Sequence, residues 1–349
     1  MPFPVLLVLI LLVSVYGVLA GAASLGFIRA RRQDPAPDLP EWPSVSVVVP
    51  TAGNPDNETV QQIQACDYPT ERLEILVPAN GPVQHSFRGA AGAAVRRVSV
   101  LEDSTEASLL SVPLESATEV AEGEIVLRMP EEGTVPSGWI RSMVRRCTPD
   151  TPIVSGPTVV DHEDLFLPRL HALQRLGALG FTGGASYVGV PVHPGLANVT
   201  VHVDASRSHP ASTDMRRAAT FTPAADAAVA VPPVSSFAEL VDRQAQWLRR
   251  RVQASSWSVQ GQAGGLWLLH TVLFACSIVA VALPAWRQPT LIALLGKMGA
   301  DTVLSLPAAN HYDQRGLLRS IVPSELMLVF TLPIAGVWAL VASFPEVEF

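Results

Sequence analysis

Two adjacent glutamates, Glu131 and Glu132, mark the place where the sequence offers its clearest site for chemistry. They follow the apolar segment 124–127, which predicts a buried strand. They precede Pro136, which predicts the start of a helix that carries Trp139 on its first turn. Open α/β sheets present ligand-binding groups at the carboxyl ends of their strands. The sequence therefore predicts that any chemistry takes place at this acidic turn. Without further context, a solvated surface loop is the simpler interpretation, because charged side chains are mostly exposed.

Strands and helices alternate along the chain before this turn. Residues 45–49 form a β-branched run, typical of a strand that is buried on both faces of a parallel sheet. A helix is expected at 57–66, strands at 73–77 and 97–101, and a long helix at 105–121. This alternation predicts a doubly wound α/β fold, a mostly parallel sheet flanked by helices, with the first strand near its centre.

Composition excludes several classes of protein. Of the 349 residues, 48% are apolar and 16% are charged, and the mean hydropathy is +0.30. This apolar excess is expected to lie in membrane segments. A net charge of -7 argues against nucleic acid as a partner, since that needs a basic face. The three cysteines are far apart and predict buried free thiols. The motifs HExxH, GxSxG and GxGxxG are missing, which argues against hydrolase and dehydrogenase chemistry.

The N-terminal segment 5–28 is apolar and uncharged, and it is long enough to cross a bilayer core of about 30 Å as a helix. A cleaved signal peptide is the alternative, but no basic residue precedes the apolar run. Arg29, Arg31 and Arg32 follow it, and arginines beside a span mark the cytoplasmic side. We therefore expect a helix anchored in the cell membrane at 1–28, a linker at 29–43 and a cytoplasmic globular domain at 44–235.

The second half of the chain contains further apolar and amphipathic segments. Residues 163–181 suit an amphipathic helix on the membrane or on the flank of the domain, and the flank is favoured. Residues 236–264 predict an amphipathic interface helix, whose arginines at 249–251 suit anionic lipid headgroups. The region 265–349 holds two or three spans. The middle one carries Lys297 and Asp301 four residues apart, which suits either self-neutralisation inside a bundle or a place at the interface. The charge rule favours four crossings in all.

Several motifs resemble the family 2 glycosyltransferases, which have a GT-A fold. The resemblance runs from about residue 45 to Trp247 and continues into the membrane-embedded tail. Its motifs, in chain order, are VSVVVPTAGN at 45–54, Asp67-Tyr68-Pro69, EILVPANG at 74–81, GEIVLRMPEEGTVPSGW at 123–139, Gly195-Leu196-Ala197-Asn198, and Arg243-Gln244-Ala245-Gln246-Trp247.

This resemblance implies transfer of a sugar from a nucleotide-sugar donor to an acceptor near the membrane. It also implies a divalent metal, Mg²⁺ or Mn²⁺, that neutralises the leaving diphosphate, because Mg²⁺ is held by few protein carboxylates together with phosphate oxygens. A carboxylate base would take the proton of the acceptor hydroxyl. The residues that match the donor-binding positions are Pro50, Ala79, Asn80, Glu131, Glu132 and Trp247. Gly195 and Asn198 match the acceptor side, Glu132 matches a metal position, and Asp214 is the candidate base.

The sequence departs from the family at the positions that would carry the chemistry. Ala79 and Asn80 stand where the family has an acidic uridine-binding residue. Pro130 replaces the first carboxylate of the Asp-x-Asp turn, and the QxxRW-type motif keeps only Trp247. Two hypotheses follow. The chain is either a membrane-bound glycosyltransferase-like protein whose activity has been relaxed, or an inactive pseudo-glycosyltransferase that acts as a scaffold or partner of an active glycosyltransferase.

Overall fold

A computed structural model describes residues 3–32, 39–49, 58–79, 86–88, 94–99, 118–130, 133–162, 165–192, 197–204, 219–254 and 256–341. The chain divides into two compact units. One unit, the α/β unit, comprises Gln33–Val159 and Pro194–Pro232. The other, the helical unit, comprises Met1–Arg32, Val160–His193 and Pro233–Phe349.

The α/β unit is built on an eight-stranded sheet with the order β3-β4-β2-β1-β5-β8-β6-β9. The strands are β1 (Val45–Val48), β2 (Leu73–Ala79), β3 (Ser86–Arg88), β4 (Ala94–Ser99), β5 (Ile125–Arg128), β6 (Ile153–Ser155), β7 (Thr158–Val160), β8 (Val199–His202), β9 (Ala219–Phe221) and β10 (Val229–Val231). Neighbours β4, β2, β1 and β5 are parallel, β3 and β8 are antiparallel to their neighbours, and β6 and β9 are parallel to each other. Strands β7 and β10 form a separate pair. The mostly parallel sheet with β1 inside it confirms the prediction.

Strand β1 is central because its β-branched side chains fill both faces of the sheet. Val45 pairs with Leu73 of β2 on one side and with Ile125 of β5 on the other. Since successive side chains of a strand point to opposite faces, Val47 packs with helices α2 (Glu58–Gln64) and α3 (Trp139–Val144), while Val48 belongs to the core of the opposite face. The valine-rich run, in which Ser46 is the one polar residue, is therefore the sequence signal of a strand that is covered on both sides.

The helical unit contains five long helices and one amphipathic helix. They are α1 (Phe3–Ala30), α4 (Phe166–Tyr187), α5 (Phe237–Val252), α6 (Trp257–Ala282), α7 (Arg287–His311) and α8 (Ile321–Val341). Among the described residues, four segments are long and apolar enough to cross a membrane: Pro4–Ala30, Trp257–Ala282, Pro284–His311 and Arg315–Val341. Each of the four spans that the sequence predicts therefore corresponds to a helix of sufficient length.

Helix α4 differs from the expectation. The sequence favoured packing on the flank of the α/β domain, whereas α4 clusters with the terminal helices and contacts α1 and α7. Glycines make this possible, because a Cβ on Gly184 would clash with the backbone of Ala23, and one on Gly26 would clash with the backbone of Gly184. Hydropathy patterning could not show this contact, since it depends on small residues that let two backbones approach.

Three remaining features are the segment before β10, the helix expected at 105–121 and the cysteines. The 3₁₀ turn Ala225–Ala227 is followed by the short strand β10. Most of the helix expected at 105–121 lies outside the described residues. All three cysteines are buried and free, as predicted. Burial raises the pKa of the Cys66 thiol to about 11 and that of Cys147 to about 12, because it disfavours the thiolate.

Candidate functional site

The carboxyl ends of β1, β2 and β5 lie side by side at one edge of the sheet. Backbone hydrogen bonds continue just past the strand ends. The Val49 N–H donates to Leu76 O at 3.0 Å, and the Met129 N–H donates to Val48 O at 3.4 Å. Both Val49 and Met129 are buried, so the edge rests on the packed core. Ligands of open α/β sheets bind outside this end of the strands, which makes it the candidate site.

The acidic segment is fixed at both of its ends. Gly133 N–H donates to the carbonyl of Pro130 at 3.3 Å. Thr134 then exchanges two backbone hydrogen bonds with Ala230, of 2.8 and 2.9 Å. A Cβ on Gly133 would come within 2.8 Å of Val229 Cγ1, so only glycine fits there without a shift. These contacts therefore fix the residues on both sides of the two glutamates, Pro130 before them and Gly133 and Thr134 after them.

Most of the predicted site residues lie outside the described residues. These are Pro50, Asn80, Glu131, Glu132, Gly195 and Asp214. Ala79 is described as the last residue of β2, where its backbone pairs with Ser99 of β4. The roles of these residues stay predictions. The structure does describe the strands that precede two of these segments, since β2 and β5 both end at the carboxyl edge.

Asn198 is the best-defined of the predicted residues, and its side chain is bound within the protein. It is 1% exposed. Its amide nitrogen donates to the carbonyls of Pro157 at 2.8 Å and Ala227 at 2.9 Å, and its amide oxygen accepts from Trp139 Nε1 at 3.1 Å. Since a primary amide has two N–H donors, both are used. The Asn198 side chain therefore links three segments of the α/β unit, those of Trp139, Pro157 and Ala227.

Neighbouring residues make room for this amide and reinforce the same junction. A Cβ on Gly156 would lie 2.5 Å from Asn198 Nδ2, so glycine leaves the space that the amide occupies. On the surface side, Asp226 accepts from Ser142 Oγ at 2.7 Å and pairs with Arg145 at 2.9 Å. These contacts tie α3 to the 3₁₀ turn. No local sequence signal predicted them, because the partners are 59 to 84 positions apart.

Trp247 lies on α5, in the helical unit. Its ring belongs to the edge of an apolar cluster formed by α5, α6 and α8, and the Arg251 guanidinium stands over it at 4.0 Å from the ring centroid. Burial, followed by the charges of Arg175 and Arg250, lowers the pKa of Arg251 to about 10. The contacts of Trp247 described here are packing and cation–π contacts.

His171 on α4 is the titratable group whose state the structure defines best. Its Nδ1 accepts a hydrogen bond from the Val234 N–H at 3.3 Å, so this nitrogen carries a lone pair and the ring is neutral. Burial, and then the positive charges of Arg175 and Arg243, lower its pKa to about 4. The side chain is 5% exposed, which agrees with a structural histidine.

Within the described part of the chain, no three His, Cys, Asp or Glu side chains come together as a metal site. The acidic segment, which carries Glu131 and Glu132, was outside that comparison. The metal-binding role of Glu132 therefore stays a prediction.

Comparison with solved structures gives the fold its context. The mannosyltransferase PcManGT from Pyrobaculum calidifontis, in complex with GDP-Man and Mn²⁺, matches 92% of this chain and 99% of its own, with a TM-score of 0.52 and 19% sequence identity. This chain has a GT-A glycosyltransferase fold. No family model and no curated protein matches the sequence.

Two further solved structures match with lower TM-scores. S. aureus TarS (residues 1–349) matches 87% of this chain and 94% of its own, with a TM-score of 0.35 and 12% identity. A mycobacterial protein matches 61% of this chain and 74% of its own, also with a TM-score of 0.35, at 13% identity. The fold rests on the match to PcManGT, whose 19% identity shows the fold alone, and function has to be argued from the site.

Proposed function

We propose that this chain is a membrane-anchored, glycosyltransferase-like protein that binds a nucleotide-sugar donor at the carboxyl edge of β1, β2 and β5. In this proposal it transfers the sugar to a membrane-proximal acceptor. The observation that carries the proposal is the GT-A fold, which matches a mannosyltransferase over 92% of the chain. That protein binds GDP-Man and Mn²⁺, so the donor classes to consider here are guanosine as well as uridine diphosphate sugars.

The residues of the carboxyl edge take defined roles in this proposal. The segments after β1 and β2, with Pro50, Ala79 and Asn80, would contact the nucleoside. Glu132, assisted by Glu131, would hold a divalent metal together with the diphosphate oxygens, because Mg²⁺ is commonly bound by one or two carboxylates plus phosphate. When bound, the metal would neutralise charge on the leaving diphosphate. Asp214 would act as base toward the acceptor hydroxyl.

The helical unit supports the membrane part of the proposal. Four helices are long and apolar enough to span a bilayer, and arginines follow the first of them at positions 29, 31 and 32. By the positive-inside rule, the N-terminus would lie outside and the α/β unit in the cytoplasm of a cell-membrane protein. An acceptor in the membrane would then be close to the catalytic domain.

The second candidate is an inactive pseudo-glycosyltransferase that serves as a scaffold or partner of an active enzyme. Two observations favour it. Strand β2 ends in Ala79, which has no carboxylate to bind a nucleoside. Asn198, which resembles an acceptor-side residue, already uses both amide hydrogens within the protein. Pro130, which stands where the family has the first carboxylate of the Asp-x-Asp turn, favours the same candidate.

Calorimetric titration of the solubilised full chain with UDP and with GDP, each in the presence of Mn²⁺, tests donor binding. We expect one of the two nucleotides to bind, and Glu132→Ala to weaken its binding about tenfold or more, because the variant lacks a carboxylate that would hold the metal on the diphosphate. The matched control is Glu119→Ala, an exposed glutamate before β5, which should leave affinity unchanged. If neither nucleotide binds at millimolar concentration, the donor-binding proposal is wrong.

A turnover assay separates the two candidates if a nucleotide does bind. The chain would be incubated with the matching nucleotide sugar, Mn²⁺ and a lipid extract of bacterial membranes, and released nucleoside diphosphate would be measured. Release that Glu132→Ala abolishes supports the transferase. Nucleotide binding without any release supports the pseudoenzyme.

A further inference from the structure

Five polar side chains meet in the interior of the helical unit, and each of the four candidate spans contributes at least one. They are Tyr16 of α1, His270 of α6, Lys297 and Asp301 of α7, and Glu325 of α8. The four ionisable residues other than Tyr16 are buried, with exposures between 1% and 8%. Ionisable groups inside a membrane are costly unless they pair, and they usually mark a functional site.

Lys297 is at the centre of this polar cluster. Its ammonium lies 2.6 Å from Asp301 Oδ2 and also forms an ion pair with Glu325 Oε2. The hydroxyl of Tyr16 donates a hydrogen bond to Asp301 Oδ1. One ammonium thus faces two carboxyl groups. If both were ionised, the cluster would carry one uncompensated negative charge in the interior of the bundle.

The two carboxyl groups are also neighbours of each other. Asp301 Oδ2 and Glu325 Oε2 both contact the ammonium of Lys297, so the two carboxyl groups flank the same nitrogen atom. Ionised carboxylates have acceptors only, so a hydrogen bond between two carboxyl groups requires a proton on one of them. Like charges at such a distance disfavour double ionisation, as in carboxylate pairs that share one proton. The geometry therefore calls for one more positive charge than Lys297 supplies.

We propose that the membrane bundle contains a proton-binding site, in which one proton is shared by the Asp301 and Glu325 carboxyl groups beside Lys297. With this proton the cluster is electrically neutral. A purely structural ion pair would need only one carboxylate for Lys297. The second carboxyl group, on a different helix, makes the packing of α7 against α8 depend on the bound proton.

His270 provides a second place for the same proton. Its Nδ1 lies 2.8 Å from Leu266 O, and since a carbonyl only accepts, Nδ1 carries the hydrogen. Nε2 therefore carries the lone pair, and it is buried with no hydrogen-bond partner among the described residues. The ring lies within electrostatic range of Lys297 and Asp301. Transfer of the proton from a carboxyl oxygen to Nε2 breaks one O–H bond, forms one N–H bond and keeps the cluster neutral.

Other helices that pack on α8 bring charged groups of their own. Helix α4 carries His171, Arg169 and Arg175, and helix α5 carries Glu239, Asp242, Arg243, Arg249, Arg250 and Arg251. The 3₁₀ turn Arg315–Ser320, which also packs on α7 and α8, carries Arg315 and Arg319. The ion pairs of Lys297 with Asp301 and Glu325 lie within the polar cluster, so these three side chains define the proton site.

Infrared spectroscopy of the full chain in phosphatidylcholine nanodiscs tests the site directly. At neutral pH we expect one protonated carboxyl per chain, seen as a carboxylic acid C=O band that shifts in D₂O and disappears on alkaline titration. Glu325→Gln and Asp301→Asn should each remove or move this band, while Asp242→Asn, at an exposed position of α5, should not. Circular dichroism would verify that each variant is folded.

Any of three results would overturn the proposal. One is a wild-type spectrum at neutral pH without a protonated carboxyl band. Another is a band that vanishes when choline chloride is replaced by sodium or potassium chloride, since a metal cation would then occupy the site in place of the proton. A wild-type band that neither variant changes also contradicts it, because the protonated group would be another carboxyl.

Discussion

The Asn198 junction gives the most quantitative prediction about the α/β unit. Replacing Asn198 by leucine keeps the number and branching of the side-chain heavy atoms and removes all three hydrogen bonds. The indole N–H of Trp139 and the carbonyl of Ala227 would then lose this partner in a buried site, whereas Pro157 O still accepts from the Val229 N–H at 3.1 Å. Each buried group that loses its partner costs about 1–3 kcal/mol, so for two groups we expect the free energy of unfolding to fall by about 2–6 kcal/mol.

That loss is a large part of the stability of a typical domain, which is about 5–15 kcal/mol. The assay is urea unfolding of the solubilised chain, followed by tryptophan fluorescence, since Trp139 lies at the junction. Asn198→Asp is the matched variant. It keeps an acceptor for Trp139 Nε1 but turns an oxygen toward two carbonyls, so it should also destabilise the unit strongly.

The opposite outcome would refute this reasoning. If Asn198→Leu leaves the unfolding midpoint unchanged and selectively impairs transfer to an acceptor, then Asn198 contacts substrate, as its resemblance to the family's acceptor-side segment implies. In that case the side-chain contacts described here would not be those of the working protein.

Three other predictions follow from buried groups. Gly123→Ala should destabilise the α/β unit by about 1–3 kcal/mol, measured by urea unfolding, because the new Cβ would lie 2.6 Å from a backbone nitrogen of β1. The pKa of His171 is lowered to about 4 in the folded protein, so the unfolded chain takes up this proton at a higher pH than the folded chain does. The free energy of unfolding should therefore fall as the pH drops from about 6.5 towards 4. His171→Asn, which keeps an acceptor for the Val234 N–H, should flatten that part of the pH–stability curve. Cys66 and Cys147 should resist iodoacetamide at neutral pH and react after unfolding, as followed by mass spectrometry, because burial raises their pKa values to about 11 and 12.

The sequence was most informative where local patterns decide the structure. The valine run at β1, the apolar strand before the acidic turn and the long uncharged helices each carry a periodicity or length that few alternatives share. Those elements determine the sheet and the helices that are long and apolar enough to cross a membrane, and the structure contains them. The i,i+4 pair of Lys297 and Asp301 was also visible, and the structure shows it inside the helical unit with Glu325 as a second partner of Lys297.

Contacts between distant segments could not be predicted in this way. Glu325 joins Lys297 across 28 positions, and Trp139 meets Asn198 across 59. Neither contact leaves a mark on local periodicity. Helix α4 is a similar case, because its place beside α1 follows from two backbones meeting at Gly184. For the candidate site, the sequence identified the segment and its resemblance, while the contacts that hold its frame depend on tertiary packing.

The most direct measurement of the central claim is photoaffinity labelling of the full chain with azido-UDP or azido-GDP in the presence of Mn²⁺, followed by peptide mapping. If a donor binds at the carboxyl edge of β1, β2 and β5, the label should appear in peptides just after those strands, around residues 49–58, 79–86 or 129–138, and excess unlabelled nucleotide should suppress it. Labelling confined to α5, or labelling that excess nucleotide does not suppress, would contradict the account.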